Sequence, residues 1–113
     1  MEVSLDGSID IFIYIYIMKH MDVQQKVIIL KSIADETRLS IVRQLVRIDN
    51  EVMGGDIVSD CSIALRLSQP TMSHHFQKLV TAGVLRERKS GVEKYYALNV
   101  DVLLRTGIDP MKL

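Results

Sequence analysis

The stretch that begins at Ser68 constrains the fold most, because it carries signals for both ends of one helix. Ser68 can accept hydrogen bonds from the first backbone amides of a helix. Pro70 is tolerated in the first turn, where its missing N–H would have no helical partner. The predicted helix runs to Ala82, and Gly83 supplies the left-handed residue that ends it. The sequence therefore predicts a helix of defined length in the second half of the chain.

Two stretches with strand character follow this helix directly. They run over Val84–Arg88 and Val92–Leu98, and Lys89-Ser90-Gly91 joins them with a glycine that suits a hairpin turn. Within the hairpin, Tyr95 and Tyr96 are expected to pack rather than to stack on bases. A helix followed by a basic hairpin is the second half of a winged helix-turn-helix, in which each piece has a docking role.

Two amphipathic helices are predicted upstream. Helical spacing begins at Asp22, a candidate N-cap, and the apolar stripe of the first helix consists of Val23, Val27, Leu30 and either Ile33 or Ala34. Asp35 is placed to begin a second helix, whose apolar face consists of Leu39, Val42, Leu45 and Val46. The two helices follow one another closely.

The pattern breaks at Asp49-Asn50 and Gly54-Gly55, which predict a loop. Asp56 is the predicted cap of a third helix, which places Ile57, Cys61, Ala64 and Leu65 on a shared side. A short terminal helix is predicted over Asp101–Thr106. These elements predict a mainly α fold with a β-hairpin wing, a winged helix-turn-helix, in which residues 21–113 form one domain.

Residues 1–20 form an N-terminal extension whose role the sequence leaves open. From Ile9 to Met18, Ile alternates with Asp, Phe and Tyr, which suits a β-strand. The run is too short to cross a membrane as a helix, and its flanks are acidic where a signal peptide would be basic. An edge strand, an arm packing on a partner subunit, and a true start at Met18 or Met21 all remain open. We expect no membrane association and a cytoplasmic location.

The net charge of zero, taken alone, argues against a nucleic-acid partner, because duplex DNA is bound largely by neutralising phosphates. The charge is unevenly distributed, however. Between Arg66 and Lys94 there are six basic and two acidic residues, so this stretch carries +4 and the remainder carries −4. The single cysteine, Cys61, excludes an intramolecular disulfide framework and fits the reducing cytosol.

The helix predicted over Gln69–Ala82 has two different sides at about 100° per residue. One arc consists of Met72, Phe76, Leu79 and Val80, and the opposite side of Pro70, Thr71, Ser73, His74, Gln77 and Lys78. The apolar arc would hold the helix against the core. Amide and imidazole groups suit base edges, and hydroxyls and Lys suit phosphates. The pattern predicts a helix that reads the DNA major groove.

Two stretches resemble a known family. LKSIADETRLSIVRQL (Leu30 to Leu45) resembles the opening signature of the ArsR/SmtB transcriptional regulators, and LSQPTMSHHFQKLVTAGVLRERKSGVEKYYALN (Leu67 to Asn99) resembles their recognition helix and wing. The resemblance implies that residues 21–113 are a DNA-binding and dimerisation domain, which forms a homodimer through its first and last helices and binds a double-stranded DNA operator, and we expect a repressor. It also implies that Gln69, Thr71, Ser73 and His74 face the major groove with Gln77 and Lys78 beside them. Wing residues Arg88, Lys89 and Lys94 would lie near the minor groove or backbone.

The two metal sites known in this family are incomplete here. One uses two cysteines at a Cys-Val-Cys spacing before the recognition helix, whereas the corresponding Ile57–Cys61 supplies one thiolate. The other uses Asp and His of the last helix, whereas the C-terminal tail contains Asp101 and Asp109 but no histidine. The adjacent His74 and His75 point about 100° apart on a helix, which disfavours a shared metal. We therefore predict no metal and no cofactor.

Two residues leave alternatives open. Cys61 is either a redox switch that alters DNA affinity or a small buried apolar residue, and its helical neighbours Ile57 and Leu65 favour the second. His75 lies at the border of the apolar arc, which fits a structural role or a phosphate contact.

An enzyme is disfavoured for lack of parts: a Ser-His-Asp arrangement with a nucleophile elbow, a Gly-rich phosphate loop and a metal-ligand triad are all missing from the sequence. A winged helix used only for protein interaction or dimerisation is the main alternative, but it would not need a polar helix face and a basic wing together. The sequence thus predicts a sequence-specific DNA-binding regulator, whose effector it does not reveal.

Overall fold

The computed structural model describes residues 11–12, 21–48, 50–60 and 66–113. Most of the N-terminal extension lies outside the described residues, so its predicted strand character stays a prediction. Cys61 also lies outside them, so the redox-switch and buried-residue interpretations of its thiol both stay predictions.

The first two helices begin where the sequence predicts. Helix α1 (Val23–Ile33) follows Asp22, and helix α2 (Glu36–Val46) follows Asp35. Each aspartate accepts a hydrogen bond from a backbone N–H of the first turn, at 2.9 Å in α1 and 3.0 Å in α2. Because such a bond satisfies an amide that has no helical partner, it fixes the start of the helix. Both capping predictions are confirmed.

The apolar stripe predicted on α1 is largely left uncovered by its own domain. Val23, Val27 and Leu30 are 72%, 41% and 44% exposed, whereas Ile29 and Ile33 contact the core. Apolar residues occupy more than one side of α1, so spacing alone did not determine which side packs on α2. That the exposed stripe forms the dimer interface stays a prediction. In α2 the prediction is better: its buried apolar residues are Ile41, Val42 and Leu45.

The predicted loop before the third helix contains a short strand, β1 (Val52–Met53), and helix α3 (Gly54–Asp60) follows it directly. Asp56 lies in the first turn of α3, so the prediction that it caps the helix is wrong. The strand exists because Val52 pairs with Tyr96, far away in the sequence. Two residues have no periodicity from which such a strand could be predicted. Ile57 is fully buried, as predicted.

Helix α4 (Gln69–Thr81) has the predicted start and end. The hydroxyl of Ser68 accepts a hydrogen bond from the N–H of Thr71 at 3.3 Å. Ala82 is the C-cap, and Gly83 follows with φ of 83°, a left-handed conformation that glycine adopts without strain.

Strands β2 (Leu85–Ser90) and β3 (Glu93–Leu98) form the predicted antiparallel hairpin, and Gly91 turns with φ of 62°. β1 adds to the other edge of β3, which gives the strand order β1-β3-β2. Asn99 closes the hairpin against the end of α4, because its side chain donates to the carbonyl of Gly83 at 3.0 Å.

The chain ends in helix α5 (Val100–Arg105) and a 3-10 helix (Pro110–Lys112). One apolar cluster joins these elements and includes Leu45, Ile57, Leu79, Val84 and Leu103, all of which are almost fully buried. None of the described helices is long and apolar enough to cross a membrane. The mainly α fold with a β-hairpin wing is confirmed, and the unpredicted strand β1 makes the sheet three-stranded.

Candidate nucleic-acid interface

Helix α4 presents one face to the core and the other to solvent. Met72, Phe76 and Leu79 are buried. The six polar residues predicted to contact DNA are all exposed: Gln69, Thr71, Ser73, His74, Gln77 and Lys78. The polar set therefore lies together on the solvent side of α4, which we call the reading face.

An aromatic stack fixes the position of α4 against the wing. The rings of Phe76 and Tyr96 are 4.4 Å apart between centroids and nearly parallel, at 8°. Burial and the neighbouring carboxylate of Glu87 raise the pKa of Tyr96 to about 12, so its ring stays neutral. The packing role predicted for Tyr96 is confirmed, and the stack packs the helix against the hairpin.

The side chains of the reading face make few contacts with the rest of the protein. The hydroxyls of Ser68 and Thr71 are 2.8 Å apart, and the amide of Gln77 donates to the hydroxyl of Thr81 at 3.3 Å. Both bonds are local to α4 and its cap. Within the described part of the chain, the side chains of Ser73 and His74 have no hydrogen bond or ion pair. Their donors and acceptors are available to an external partner.

A polar cluster ties α4 to the start of α2. Nδ1 of His75 lies 3.1 Å from Nη1 of Arg38 and 3.7 Å from the carboxylate of Asp35. Nε of Arg38 also donates to the carbonyl of Ser32 at 2.6 Å. Of the two roles left open for His75, this placement supports the structural one, because the half-buried ring faces protein groups.

The cluster shifts the pKa values of both titratable partners. Burial lowers the pKa of His75, and the charge of Arg38 lowers it further, against the opposing effect of Asp35. Burial alone would raise the pKa of Asp35, but the N–H and the charge of Arg38 outweigh it and lower that pKa. His75 is therefore neutral near pH 7, so its Nδ1 can accept a hydrogen bond from Arg38.

The hairpin register divides the wing cations between two faces. Lys89 lies directly opposite Lys94, on the face of the hairpin that also holds Tyr96 and packs on α4. Arg88 lies opposite Tyr95, on the other face. Side chains alternate along a strand, so Arg88 and Lys89 cannot approach one phosphate from the same side.

Two of the wing cations already have protein partners. Nε and Nη2 of Arg88 hold the carboxylate of Glu51 at 3.0 and 2.6 Å, and the guanidinium lies 4.6 Å from the ring centre of Tyr95. The hydrogen bonds lower the pKa of Glu51 and raise that of Arg88. Lys94 lies 3.8 Å from Glu87. Among the described carboxylates, none pairs with Lys89.

A groove separates α4 from the wing. It encloses about 580 Å³, and its walls include Gln69, Ser73, Gln77 and Lys94. The groove brings Lys94 and part of the reading face together, whereas Arg88 is not among its walls. No sequence signal pointed to the Arg88–Glu51 contact or the Arg38–His75 contact, since in each pair the partners are 37 residues apart.

Metal ligands were predicted to be incomplete. Among the described residues, no three His, Cys, Asp or Glu side chains are grouped to hold a metal ion. His20 and Cys61 lie outside that part of the chain, so the expectation of a metal-free regulator stays a prediction.

Comparison with known proteins places this geometry in a family. Residues 35–87 match the family model described as "Bacterial regulatory protein, arsR family". The chain is 36% identical over 84 residues to the uncharacterized HTH-type transcriptional regulator YceK of Bacillus subtilis, which covers 74% of this chain and 80% of YceK. It is 34% identical over 76 residues to the transcriptional repressor SdpR of the same organism, over 66% of this chain and 77% of SdpR.

Solved structures with a similar fold include winged helix-turn-helix regulators. The chain superposes with a TM-score of 0.58 on the homodimeric winged helix-turn-helix DNA-binding domain of Mb0332 from Mycobacterium bovis, at 24% identity, over 73% of this chain and 70% of that one. In this fold α4 takes the place of the recognition helix, and β2 and β3 form the wing. The chain is a winged helix-turn-helix protein and belongs to the ArsR family of bacterial regulatory proteins.

Proposed function

We propose that this protein is a transcriptional regulator that recognises specific DNA sequences as a homodimer, through the domain formed by residues 21–113. One observation carries the proposal: α4 exposes a continuous polar face while its opposite face is fixed in the core. A protein-interaction module would need only the core-facing side. Family membership and the two Bacillus subtilis relatives support the same role.

In this proposal the first turns of α4 read base edges in the major groove. Gln69, Thr71, Ser73 and His74 occupy these turns and are exposed. A glutamine amide can pair with N6 and N7 of adenine, and hydroxyl and imidazole groups bond to several base edges. The N-terminal part of a recognition helix is also the part that approaches the bases. Gln77 and Lys78 lie further along and contact the backbone.

The wing supplies positioning contacts. Lys89 and Lys94 share the hairpin face that packs on α4, so both long side chains extend towards the DNA beside the reading face. Arg88 contacts the backbone only by exchanging Glu51 for a phosphate, because its guanidinium already binds that carboxylate. Phosphate contacts fix register and orientation but carry no sequence information.

Dimerisation covers the apolar surface that the monomer leaves exposed. Val23, Val27 and Leu30 share one exposed stripe of α1, and Met111 lies exposed near the C-terminus. Exposed apolar residues grouped in this way often mark an interface. A two-fold dimer would present two α4 helices about 34 Å apart, which matches half-sites about one helical turn apart on the DNA.

The protein acts by binding rather than by catalysis, and we expect it to be a repressor that occupies its operator, as SdpR is named a repressor. A DNA partner supports the expectation of a cytoplasmic location. No cofactor or effector is part of the proposal.

Selection of bound duplexes from a random pool tests the proposal. We expect a palindromic site with affinity at least about 1,000-fold above that for unrelated duplex at physiological salt. Sedimentation should give a dimer, and the DNA complex should contain two chains per site. Binding with no sequence preference, or no duplex binding at all, would contradict the proposed function.

A further inference from the structure

A second cleft lies on the flank of α4 that faces away from the wing. It lies between α1 and α4 and encloses about 330 Å³. Its walls include Lys31 of α1, Arg38 of α2, and His74, Gln77 and Lys78 of α4. None of its lining residues is a carboxylate. Three permanent cations and a histidine therefore face one small space.

The cations of this cleft differ in how firmly they are held. Arg38 is fixed by its bonds to the carbonyl of Ser32 and to His75. Lys31 and Lys78 are exposed, and within the described residues neither has an ion pair. Lys31 and Lys78 have no such partner in the described part of the chain, so an anion that enters the cleft gains two exposed cationic donors.

The cleft shares residues with the reading face. His74 and Gln77 belong both to the cleft walls and to the reading face, and Gln77 also lines the groove beside Lys94 of the wing. Cations thus lie on both sides of the α4 residues assigned to base edges: Lys94 towards the wing, and Lys31 with Lys78 towards α1. A helix inserted in the major groove, which is about 12 Å wide, lies between the phosphate backbones of two strands.

We propose that Lys31 and Lys78 form a phosphate-binding cleft that holds the DNA strand opposite the one contacted by the wing. This inference rests on the proposed function and adds to it a contact from α1, a helix that carries no predicted DNA-binding residue. The ligand is a backbone phosphodiester. The two flanks hold the two strands, so α4 is centred in the groove.

Lys31→Gln tests the cleft, because Lys31 is exposed and its substitution leaves the reading face unchanged. Its affinity for operator and for unrelated duplex should fall by the same factor, about fivefold to tenfold at 0.1 M salt, and the slope of log affinity against log salt should shrink by about 0.9. Lys31→Arg should retain both affinity and slope. Lys112→Gln is the control, since it makes the same charge change in the 3-10 helix, which packs on α2 and α5.

A scan of operators that each carry a single neutral methylphosphonate locates the contact. In each half-site, neutralising one particular phosphate should weaken binding of the wild-type protein but not of Lys31→Gln. For Lys94→Gln, the phosphate whose neutralisation has no further effect should lie on the other strand. Equal effects of Lys31→Gln and Lys112→Gln, or a Lys31→Gln protein that binds like wild type, would overturn the cleft while the proposed function stands. Failure of the wild-type protein to select a sequence would instead overturn the proposed function.

A small-anion site is the remaining alternative, and calorimetry with inorganic phosphate at constant ionic strength separates it. The backbone assignment predicts no saturable phosphate binding at millimolar concentration. Saturable binding that Lys31→Gln abolishes, together with unchanged DNA affinity, would overturn the backbone assignment.

Discussion

The reading face of α4 and the wing both carry residues assigned to DNA, but the structure connects them to the protein differently. On α4 the polar side chains bond within their own helix or to nothing described. On the wing, Arg88 holds Glu51 in a two-pronged pair, and Lys94 lies near Glu87. The helix is ready to bond, whereas part of the wing must first release a carboxylate.

This difference predicts that α4 determines sequence specificity, whereas the wing adjusts the affinity for all duplexes. A base edge that bonds to Ser73 or His74 displaces only water from those side chains. A phosphate that bonds to Arg88 displaces Glu51, which offers the same charge and two acceptor oxygens, so the net gain is small. Lys89 is the exception in the wing, because it lies opposite another lysine and gains from an anion. We therefore rank Lys89 above Arg88 as a phosphate contact.

The largest expected effect comes from breaking the link between helix and wing. Phe76→Ala removes the ring that stacks on Tyr96 and should lower the free energy of unfolding by about 3–5 kcal/mol. Tyr96→Phe is the matched control, because it keeps the stacked ring. Urea unfolding followed by circular dichroism measures both. If Phe76→Ala were no less stable than Tyr96→Phe, the stack would not hold α4 in place.

Loss of a reading contact should have the next largest effect. His74→Ala should weaken operator binding by about 1–3 kcal/mol and relax the preference at particular base pairs. The side chain is exposed, so the melting temperature should not change. Affinity measured on operators with single base changes checks this. A uniform loss on every sequence would remove His74 from the reader group.

A wing lysine should fail in a different way. Lys89→Ala should weaken operator and unrelated duplex alike and flatten the salt slope by about 0.9. Fluorescence anisotropy at four or more salt concentrations measures the slope. An unchanged slope would show that Lys89 contacts no phosphate.

Glu51→Gln should act in the opposite direction with a smaller effect. It removes the charge that holds Arg88, so affinity for all duplexes should rise, by less than about fivefold, since exposed pairs are weak. Arg88→Ala should abolish that gain in the double variant. A loss of affinity in Glu51→Gln would mean that Glu51 positions Arg88 for DNA instead of competing with it.

The smallest effect is a pH dependence of stability. The pKa of His75 in the folded protein lies below its ordinary value of 6.5, so the unfolded chain takes up a proton more readily. The contribution of His75 to the free energy of unfolding is therefore fully present above pH 6.5 and is lost as the pH falls below that value. The lowered pKa of Asp35 affects stability only below about pH 3.8, outside the pH range in which His75 titrates.

Urea unfolding between pH 5 and 7.5 measures this slope. His75→Gln should flatten it, while His74→Gln, which keeps the cluster of Asp35, Arg38 and His75, should change it much less. Equal slopes in His75→Gln and His74→Gln would show that the pH dependence does not come from the cluster of Asp35, Arg38 and His75.

Local signals made much of this fold predictable. Ser68 and Gly83 fix α4 through bonds and backbone angles of neighbouring residues, and Asp22 and Asp35 do the same for α1 and α2. The solvent side of α4 followed from the 100° spacing, because its apolar and polar residues separate cleanly.

What failed depended on partners distant in the sequence. Strand β1 exists only through its pairing with β3, and the side that α1 buries depends on which elements it meets. Arg88 bonds to Glu51 and His75 to Arg38, in each case across 37 residues, and no spacing rule connects them. Sequence reasoning therefore found which residues point outward on α4 but not which wing cations are already paired.

One experiment tests the division between reader and clamp most directly: the affinities of wild type, His74→Ala and Lys89→Ala for a panel of single-base operator variants at several salt concentrations. We expect His74→Ala to lose discrimination at one or two positions with an unchanged salt slope, and Lys89→Ala to keep the wild-type preference with a shallower slope. The reverse result, in which Lys89→Ala changes sequence preference and His74→Ala changes only the salt slope, would contradict the assignment of α4 as the recognition helix.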